Sequence, residues 1–513
     1  MFPRVAKEAY SQAENWNRFS NFVELPAVGD TFTSGDFLYT VLSSEEFEVS
    51  VAAADPEALA GDVEIPAVAD NEGLGYTVTA LSGYGFNSCS NLRGLTIPAT
   101  VTTIGRSAFS TSKVFESIEV NGENSVYSSA EGVLFNKDKT ELLTCPAGIK
   151  GDYSVPTSVR NIGADAFMSS SLSRVELQEG LKTIGNSAFF AAALTEITLP
   201  ETLTTISSYA FQSCHNIETV TIPASVSEIG SAAFDGCLKL TDIEVAEDND
   251  SYKSQNGVLY DKEMHTLVQF PAGMSGAFII PNTVKTISSN GFGSAYNLTE
   301  VTIPASVESI GSSAFLYCRL LKRVINLNSN PQAITANVFT GVPTNATLYV
   351  PMGSVEKYSE AEVWSMFNDI VEIGEVKVTL SSESLILIPE DEAVLTPIIS
   401  NESYVEIVSV EWESSDPTVA TVGSEGDVKA LKDGKAEIRC IVTDSNGETY
   451  TAVCQVTVDS STSVGIVNAE IDYTAPYEVY NLEGRYVGND TNELSKGMYI
   501  VRQGNKTKKI LVK

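Results

Sequence analysis

The chain has 513 residues, 43% of them hydrophobic, and carries 66 acidic against 32 basic side chains, for a formal charge of −34. Such an excess of acid disfavours phosphate backbones and anionic lipid surfaces, so no nucleic-acid partner is expected and a basic partner or a cation-rich milieu fits better. No run approaches the roughly 18 to 20 apolar residues of a membrane span, and the seven cysteines include no C-x-x-C pair of the kind zinc needs.

Residues 1–25 form an N-terminal segment in which the spacing of Trp16 and Phe19 allows a short helix. Over 26–75, apolar and polar residues alternate through Phe37, Tyr39 and Val41, then Phe47, Val49 and Val51, up to Ile65-Pro66. Alternation of this kind predicts strands. A β-rich cap would hide the first turn of a repetitive domain.

From residue 76 a phrase recurs. Ile104, Ile162, Ile184, Ile206, Ile229, Ile287 and Ile310 each precede a phenylalanine five residues on, and the isoleucines lie 58, 22, 22, 23, 58 and 23 residues apart. A unit of about 22 residues cannot enclose its own core and must stack on a neighbour with the same anchors. In the unit from Ile217 to Cys237, Val220 and Ile222 alternate as a half-buried strand that Pro223 ends. Val226 and Ile229 point inward on the return, Gly230 suits a tight bend, and Ala233-Phe234 suits a helical turn whose ring fills the space between coils. The phrasing I-x-x-V-x-I-P-x-S-V-x-x-I-G-x-x-A-F-x-x-C resembles the BspA-type leucine-rich repeat over residues 76–375. That resemblance implies a solenoid on an exported surface protein, with attachment to host matrix proteins and to other cells. The first 25 residues lack the apolar h-region of a signal peptide, which for an exported family reads as a trimmed or lost leader.

The two gaps of 58 carry inserts. A shift of 125 residues overlays Asn124 on Asn249, Tyr127 on Tyr252, Gly132 to Phe135 on Gly257 to Tyr260, and Pro146 to Gly148 on Pro271 to Gly273. A block has been duplicated, each copy with a strand, a polar turn (136–139 or 261–264) and a strand, a hairpin expected to pair with the solenoid edge. Cys89, Cys214, Cys237 and Cys318 share one repeat position, as buried small apolar side chains would, and Cys145 stands where the second copy has Phe270. The acidic run Glu247-Asp248-Asn249-Asp250 lacks the spaced ligands of a calcium loop and reads as a solvated turn.

Ser354 is a plausible N-cap for a helix whose Tyr358, Ala361, Trp364 and Phe367 share a face, closing the solenoid with Trp364 as anchor. Beyond it, Trp412-Glu413-Ser414-Ser415-Asp416 runs on to Val419-Ala420-Thr421-Val422, then Gly426-Asp427-Val428-Lys429-Ala430. These elements resemble the bacterial immunoglobulin-like group 2 domain over 376–459, which makes Trp412 a core residue of a sandwich. Cys440 and Cys454 flank the turn at 445–447 and would meet across a hairpin, as a disulfide or as stacked free thiols. Residues 460–513, with Tyr480 to Arg485, Leu494 to Val501 and a basic apolar end at Lys508 to Lys513, are similar to the C-terminal sorting domain of type IX secretion substrates.

The expected fold class is mainly β: a leucine-rich-repeat solenoid, an immunoglobulin-like β-sandwich and a small C-terminal β domain. No catalytic motif, cofactor or metal site is expected, and the two histidines, His215 and His265, lie in different blocks. The candidate binding face consists of the outward residues of the Val220-type strand: Arg174, Glu176, Glu196, Thr198, Thr219, Thr221, Asp242, Glu244, Glu300 and Thr302, followed by Arg323 and Ile325. Spacing of about 4.8 Å between strands would set such residues in two ladders. They offer acids and hydroxyls but no aromatics, which favours a polar, protein-type contact over sugar stacking. The expected role is a cell-surface or secreted scaffold binding an extracellular protein or cell-surface ligand; the alternatives are a glycan-binding accessory protein and a hydrolase with an unrecognised site.

Overall fold

The computed structural model describes residues 7–13, 25–109, 111–374, 376–401, 407–444, 447–460, 472–482, 484–491, 494–495, 497–503 and 506–512. Trp16 and Phe19 lie outside them, although a six-residue helix, Lys7–Gln12, is present. The chain is almost all β and divides into two compact units, residues 1–372 and 373–513.

The first unit opens with an antiparallel sheet of Thr31–Ser34, Phe37–Ser43 and Glu48–Ala53, to which Leu74–Leu81 adds in parallel. Its Ala80 and Leu81 pair with Thr103 and Ile104, so the cap leads directly into the first coil. Two parallel ladders then run along the solenoid. One contains the Val220-type strands, such as Thr219–Ile222 beside Asp242–Val245. The other was not foreseen: the Ile positions form two-residue strands, Asn161–Ile162, Thr183–Ile184, Thr205–Ile206 and Glu228–Ile229, each paired with the next.

A third line of coil-to-coil bonding replaces the expected helical turn. In the coil around Phe189, the N–H groups of Ser187, Phe189 and Ala191 donate to the carbonyls of Ser208, Ala210 and Gln212 in the next coil, at 3.1, 2.7 and 2.9 Å. A helix would direct these groups along its own axis. Here Ser187 and Ala191 take φ of 53° and 54°, as do Tyr209 and Ser213 one coil later at 60° and 61°, and the left-handed residues turn alternate amides sideways. Gly230 also serves differently than expected: a Cβ there would lie 2.3 Å from the Ser208 backbone nitrogen, so glycine is required by the approach of adjacent coils rather than by a bend.

Between the ladders the phenylalanines stack. Phe167, Phe189, Phe211 and Phe234 succeed one another at centroid separations of 4.8, 5.1 and 5.4 Å with planes within 6° of parallel, and all four are buried. Phe270, Phe292, Phe315 and Phe339 form a second stack. It ends on Trp364, which meets Phe339 edge-on at 5.2 Å and donates its indole N–H to the Gln332 carbonyl. Trp364 is thus the closing anchor. The closing helix itself is only Val355–Glu360, with a 3-10 turn after it at Trp364–Met366, because Ala361 is extended; Ser354 donates its hydroxyl to the Ser329 carbonyl instead of capping.

Each insert contains the expected hairpin, and a further strand before it makes a three-stranded meander. Tyr127–Ala130 pairs with Val133–Asn136, which pairs with Glu141–Thr144, and that strand joins the Ile ladder beside Asn161–Ile162. The second copy repeats this with Tyr252–Gln255, Val258–Asp261 and Thr266–Gln269.

In the second unit, Ile407–Ser414, Gly434–Asp444, Thr449–Val458 and Ser384–Leu387 form one sheet, and Ala420–Val422, Asp427–Ala430 and Glu392–Val394 another, around Ile438, Cys440, Val442, Cys454 and Val456. Trp412 is partly buried at the edge of this core. Cys440 faces Ala452 and Cys454 faces Ile438, a register that offsets the two cysteines; both are buried free thiols, so the disulfide reading falls. A further antiparallel sheet, Tyr486–Gly488, Glu478–Tyr480, Gly497–Gln503 and Lys506–Val512, closes over Val479 and Val501.

Candidate functional site

The strand that buries Val220 and Ile222 must present Thr219 and Thr221 outward, and both are exposed. Arg174, Glu176, Glu196, Thr198 and Glu244 are exposed likewise, and Asp242 is half-buried. Neighbouring coils couple these side chains. Arg174 Nε lies 3.4 Å from Glu196 Oε1, and the Thr221 hydroxyl donates to Glu244 Oε2 at 3.2 Å. Towards the N-terminus of the same face, Arg93 binds Asp62 and holds its carboxyl below the usual carboxylate range.

The face is interrupted, and one part of it is covered. Its ladders run in segments. Arg174–Glu176, the pair Thr219–Ile222 with Asp242–Val245, and the strands from Gly276–Ile279 onward belong to separate sheets. The inserts cause the largest interruption, since the Ile243 N–H donates to the Gly257 carbonyl, in the turn between the first two strands of the second meander. Thr302 and Ile325 are also buried, at 2% and 0% exposure. In register, Thr302 lies between Ile279 and Ile325, and Ile325 between Thr302 and Tyr349, so same-face neighbours close over them. Glu300 stays partly exposed and pairs with Arg323 at 3.1 Å, beneath the Tyr349 ring.

The junctions give Asn124 and Asn249, matched in the sequence only as part of the duplication, a buried role, and bring in Asp235, which the pattern did not single out. Asn249 is no solvated turn residue: it is fully buried, and its Nδ2 donates to the carbonyls of Pro223 and Val226 while its Oδ1 accepts from the N–H groups of Ser251 and Tyr252. Asn124 makes the same four bonds to Pro98, Val101, Val126 and Tyr127. Glu247, Asp248 and Asp250 remain exposed. At the second junction Asp235 is 3% exposed; Gln212 donates to its Oδ2 at 2.9 Å, its Oδ1 has no hydrogen-bond partner among the described residues, and burial raises its carboxyl above the usual range.

Each junction also encloses space. A cavity of about 740 Å³ lies at the first, lined among others by Arg106, Ser107, Phe109, Leu134, Leu143 and Cys145. At the second, the matching position is a cavity of about 200 Å³. Among the described residues, no group of three or more histidine, cysteine or acidic side chains is arranged to hold a metal, and no helix is long and apolar enough to cross a membrane. His215 and His265 are exposed on different coils, and His215 Nδ1 lies 2.8 Å from the Gly236 carbonyl.

Six copies of the motif described as the BspA type leucine rich repeat region match residues 73–153, 149–256 and 275–378, more than half of the sequence. The chain belongs to the BspA-type leucine-rich-repeat family. Its second unit contains a match to the bacterial Ig-like domain (group 2) at residues 376–453. Among solved structures, this BspA-type protein is similar to a leucine rich cell surface protein from Faecalibacterium prausnitzii, at 22% identity over 67% of this chain and 95% of that one, with a TM-score of 0.38. It is also similar to the pneumococcal vaccine antigen PcpA (19% identity, 68% and 100% covered, TM-score 0.34) and to a leucine-rich repeat protein from Bacteroides ovatus (17%, 69% and 82%, TM-score 0.33). No curated protein sequence matches it.

Proposed function

We propose that this protein is a cell-surface or secreted binding scaffold that recognises a basic extracellular protein, on a host matrix or another cell, through the outward face of its solenoid. The observation that carries the reading is the exposed set of Glu176, Glu196, Thr198, Thr219, Thr221 and Glu244 on successive coils of the solenoid, in a chain of net charge −34. Pre-ordered acids and hydroxyls steer and hold a cationic surface with little ordering cost. Arg174, Asp242 and Glu300 extend the patch, whereas buried Thr302 does not contribute to it. In this reading residues 26–75 are the cap, 376–459 the spacer that displays the solenoid, and 460–513 a sorting-type domain that directs the protein to the outer surface. BspA-type proteins attach to matrix proteins and cells, which agrees with it.

The test is capture of soluble matrix proteins by the full chain, run beside a glycan array. The expected result is a salt-sensitive protein ligand whose affinity falls at least about tenfold in the Glu176→Lys/Glu196→Lys/Glu244→Lys variant. Equal binding by that variant places the contact elsewhere, and a hit confined to the glycan array favours the carbohydrate reading instead.

A further inference from the structure

We propose that the cavity at the first insert is a binding site for a small amphiphilic monoanion, an apolar or aromatic body carrying one carboxylate or sulfonate. Its volume of about 740 Å³ is that of a small-molecule site.

The duplicated block supplies an internal comparison. Under the 125-residue shift, Ile104, Gly105, Ser107, Ala108 and Phe109 correspond to Ile229, Gly230, Ala232, Ala233 and Phe234, and the two cavities occupy the same position in the fold. They differ just beyond the third insert strand. Phe270 fills the second junction and stacks on Phe292 at 5.0 Å, whereas Cys145 occupies that place in the first and leaves its ring volume empty. The backbone is not the cause, because Phe270 N–H bonds the Gly291 carbonyl and Cys145 N–H bonds the Ala166 carbonyl, each at 2.7 Å. Other lining positions differ as well, with Arg106, Asp165 and Met168 standing where the second copy has Ser231, Asn290 and Gly293, but Cys145 for Phe270 is the exchange that removes a ring.

The polar groups set the ligand's charge. In an uninterrupted coil, the N–H groups of Asp165 and Phe167 donate to Asn186 and Ala188 of the next coil. Ser107 and Phe109 hold the same register positions, but the next coil is displaced by the insert, and among the described residues no backbone carbonyl accepts from either. Both residues line the cavity together with Arg106, which is exposed and makes no ion pair among the described residues. Two amides and a guanidinium make an anion site. Asp165 also lines the cavity and accepts the Ser107 hydroxyl at 3.2 Å, so a second anionic group would be repelled. Leu134, Leu143, Cys145 and the Phe109 ring form the apolar floor.

The probe is anilinonaphthalene sulfonate, an aromatic monoanion, titrated into the folded full chain and monitored by fluorescence and calorimetry. One saturable site is expected, lost in Cys145→Phe, which restores the ring found in the second copy, and weakened about tenfold in Arg106→Gln, an exposed change that leaves the fold intact. Absence of saturable binding, or binding unchanged in both variants, overturns the proposal. Should Cys145→Phe not fold, Arg106→Gln decides alone; if it binds like the parent and an uncharged aromatic analogue binds equally well, the anion assignment fails.

Discussion

Asn249 holds the Val226 carbonyl with its Nδ2 at 2.9 Å and the Tyr252 amide with its Oδ1 at 2.8 Å, so one buried side chain joins a finished coil to the meander after it. All of its hydrogen-bonding capacity is used, and no water is needed to satisfy it. Asn249→Ala removes the side-chain partner of the Val226 carbonyl and of the Ser251 and Tyr252 N–H groups, while the Pro223 carbonyl keeps the Val226 N–H; each group left unpaired costs about 1 to 3 kcal/mol. A loss of about 3 kcal/mol or more is expected in urea denaturation, with faster hydrogen exchange over residues 251–269. Unchanged exchange there would mean that the meander is held by its strands alone.

Phe211 stacks between Phe189 and Phe234 at 5.1 and 5.4 Å and is fully buried. Phe211→Ala removes a ring from the middle of the stack, where neighbours on both sides are themselves fixed and cannot collapse into the space. The expected cost is about 3 to 5 kcal/mol, read from denaturant melts. A change below about 1 kcal/mol would mean that the stack is not the spine of the solenoid.

Two glycines separate close approach from mere flexibility. A Cβ at Gly230 would stand 2.3 Å from Ser208 N and 2.7 Å from Ser207 C, both backbone atoms that cannot move aside without parting the coils. At Gly122 no atom lies within 4 Å. Gly230→Ala is therefore expected to lower the melting temperature by several degrees or abolish folding, and Gly122→Ala to leave it nearly unchanged. Comparable melting of the two variants would remove the close-packing account.

The elements that could be read from the sequence are those whose residues recur because the packing recurs. Phe211, Val220 and Ile222 repeat coil after coil because each must fill the same space, so the period exposed them. Asn249 was hidden by its polar neighbours: a run of Glu247, Asp248 and Asp250 has the composition of a solvated turn, and only the folded chain shows one member turned inward. Strands such as Thr205–Ile206 are too short for any alternation to register. Thr302 carries the same residue type as exposed Thr221, and its burial depends on Ile279 and Ile325 in adjacent coils, information absent from its own repeat. The first cavity was visible only as Cys145 aligned with Phe270, a difference that acquires meaning once both sites are known to share one register.

The seven cysteines are all buried free thiols. Burial pushes the Cys89 thiol up to about 11 and those of Cys145 and Cys214 up to about 12, and raises the others too. Thiolate, the reactive form, is therefore scarce near neutrality. Fewer than about one equivalent is expected to react with a thiol reagent at pH 8 in the native protein, and all seven in denaturant without reductant. Recovery of only five in denaturant would indicate that Cys440 and Cys454 pair after all.

Asp235 gives the fold a pH dependence of defined sign. Desolvation raises its carboxyl, and the hydrogen bond from Gln212 offsets this only in part, so the folded chain binds that proton more tightly than the unfolded chain does. The associated stability is full below the unfolded value, near pH 4, and is lost as pH rises through the higher folded value. Asp235→Asn keeps the shape and the acceptor for Gln212 and carries no charge at any pH. The variant is expected to be more stable than the parent at pH 8, with the difference shrinking as both are acidified through the raised folded value toward pH 4. Urea melts of the two proteins across that range measure it directly, and because other titrating groups are common to both, their contributions cancel. A difference that stays constant or widens on acidification would show that Asp235 is ionised and stabilised where it lies, and that its Oδ1 is satisfied.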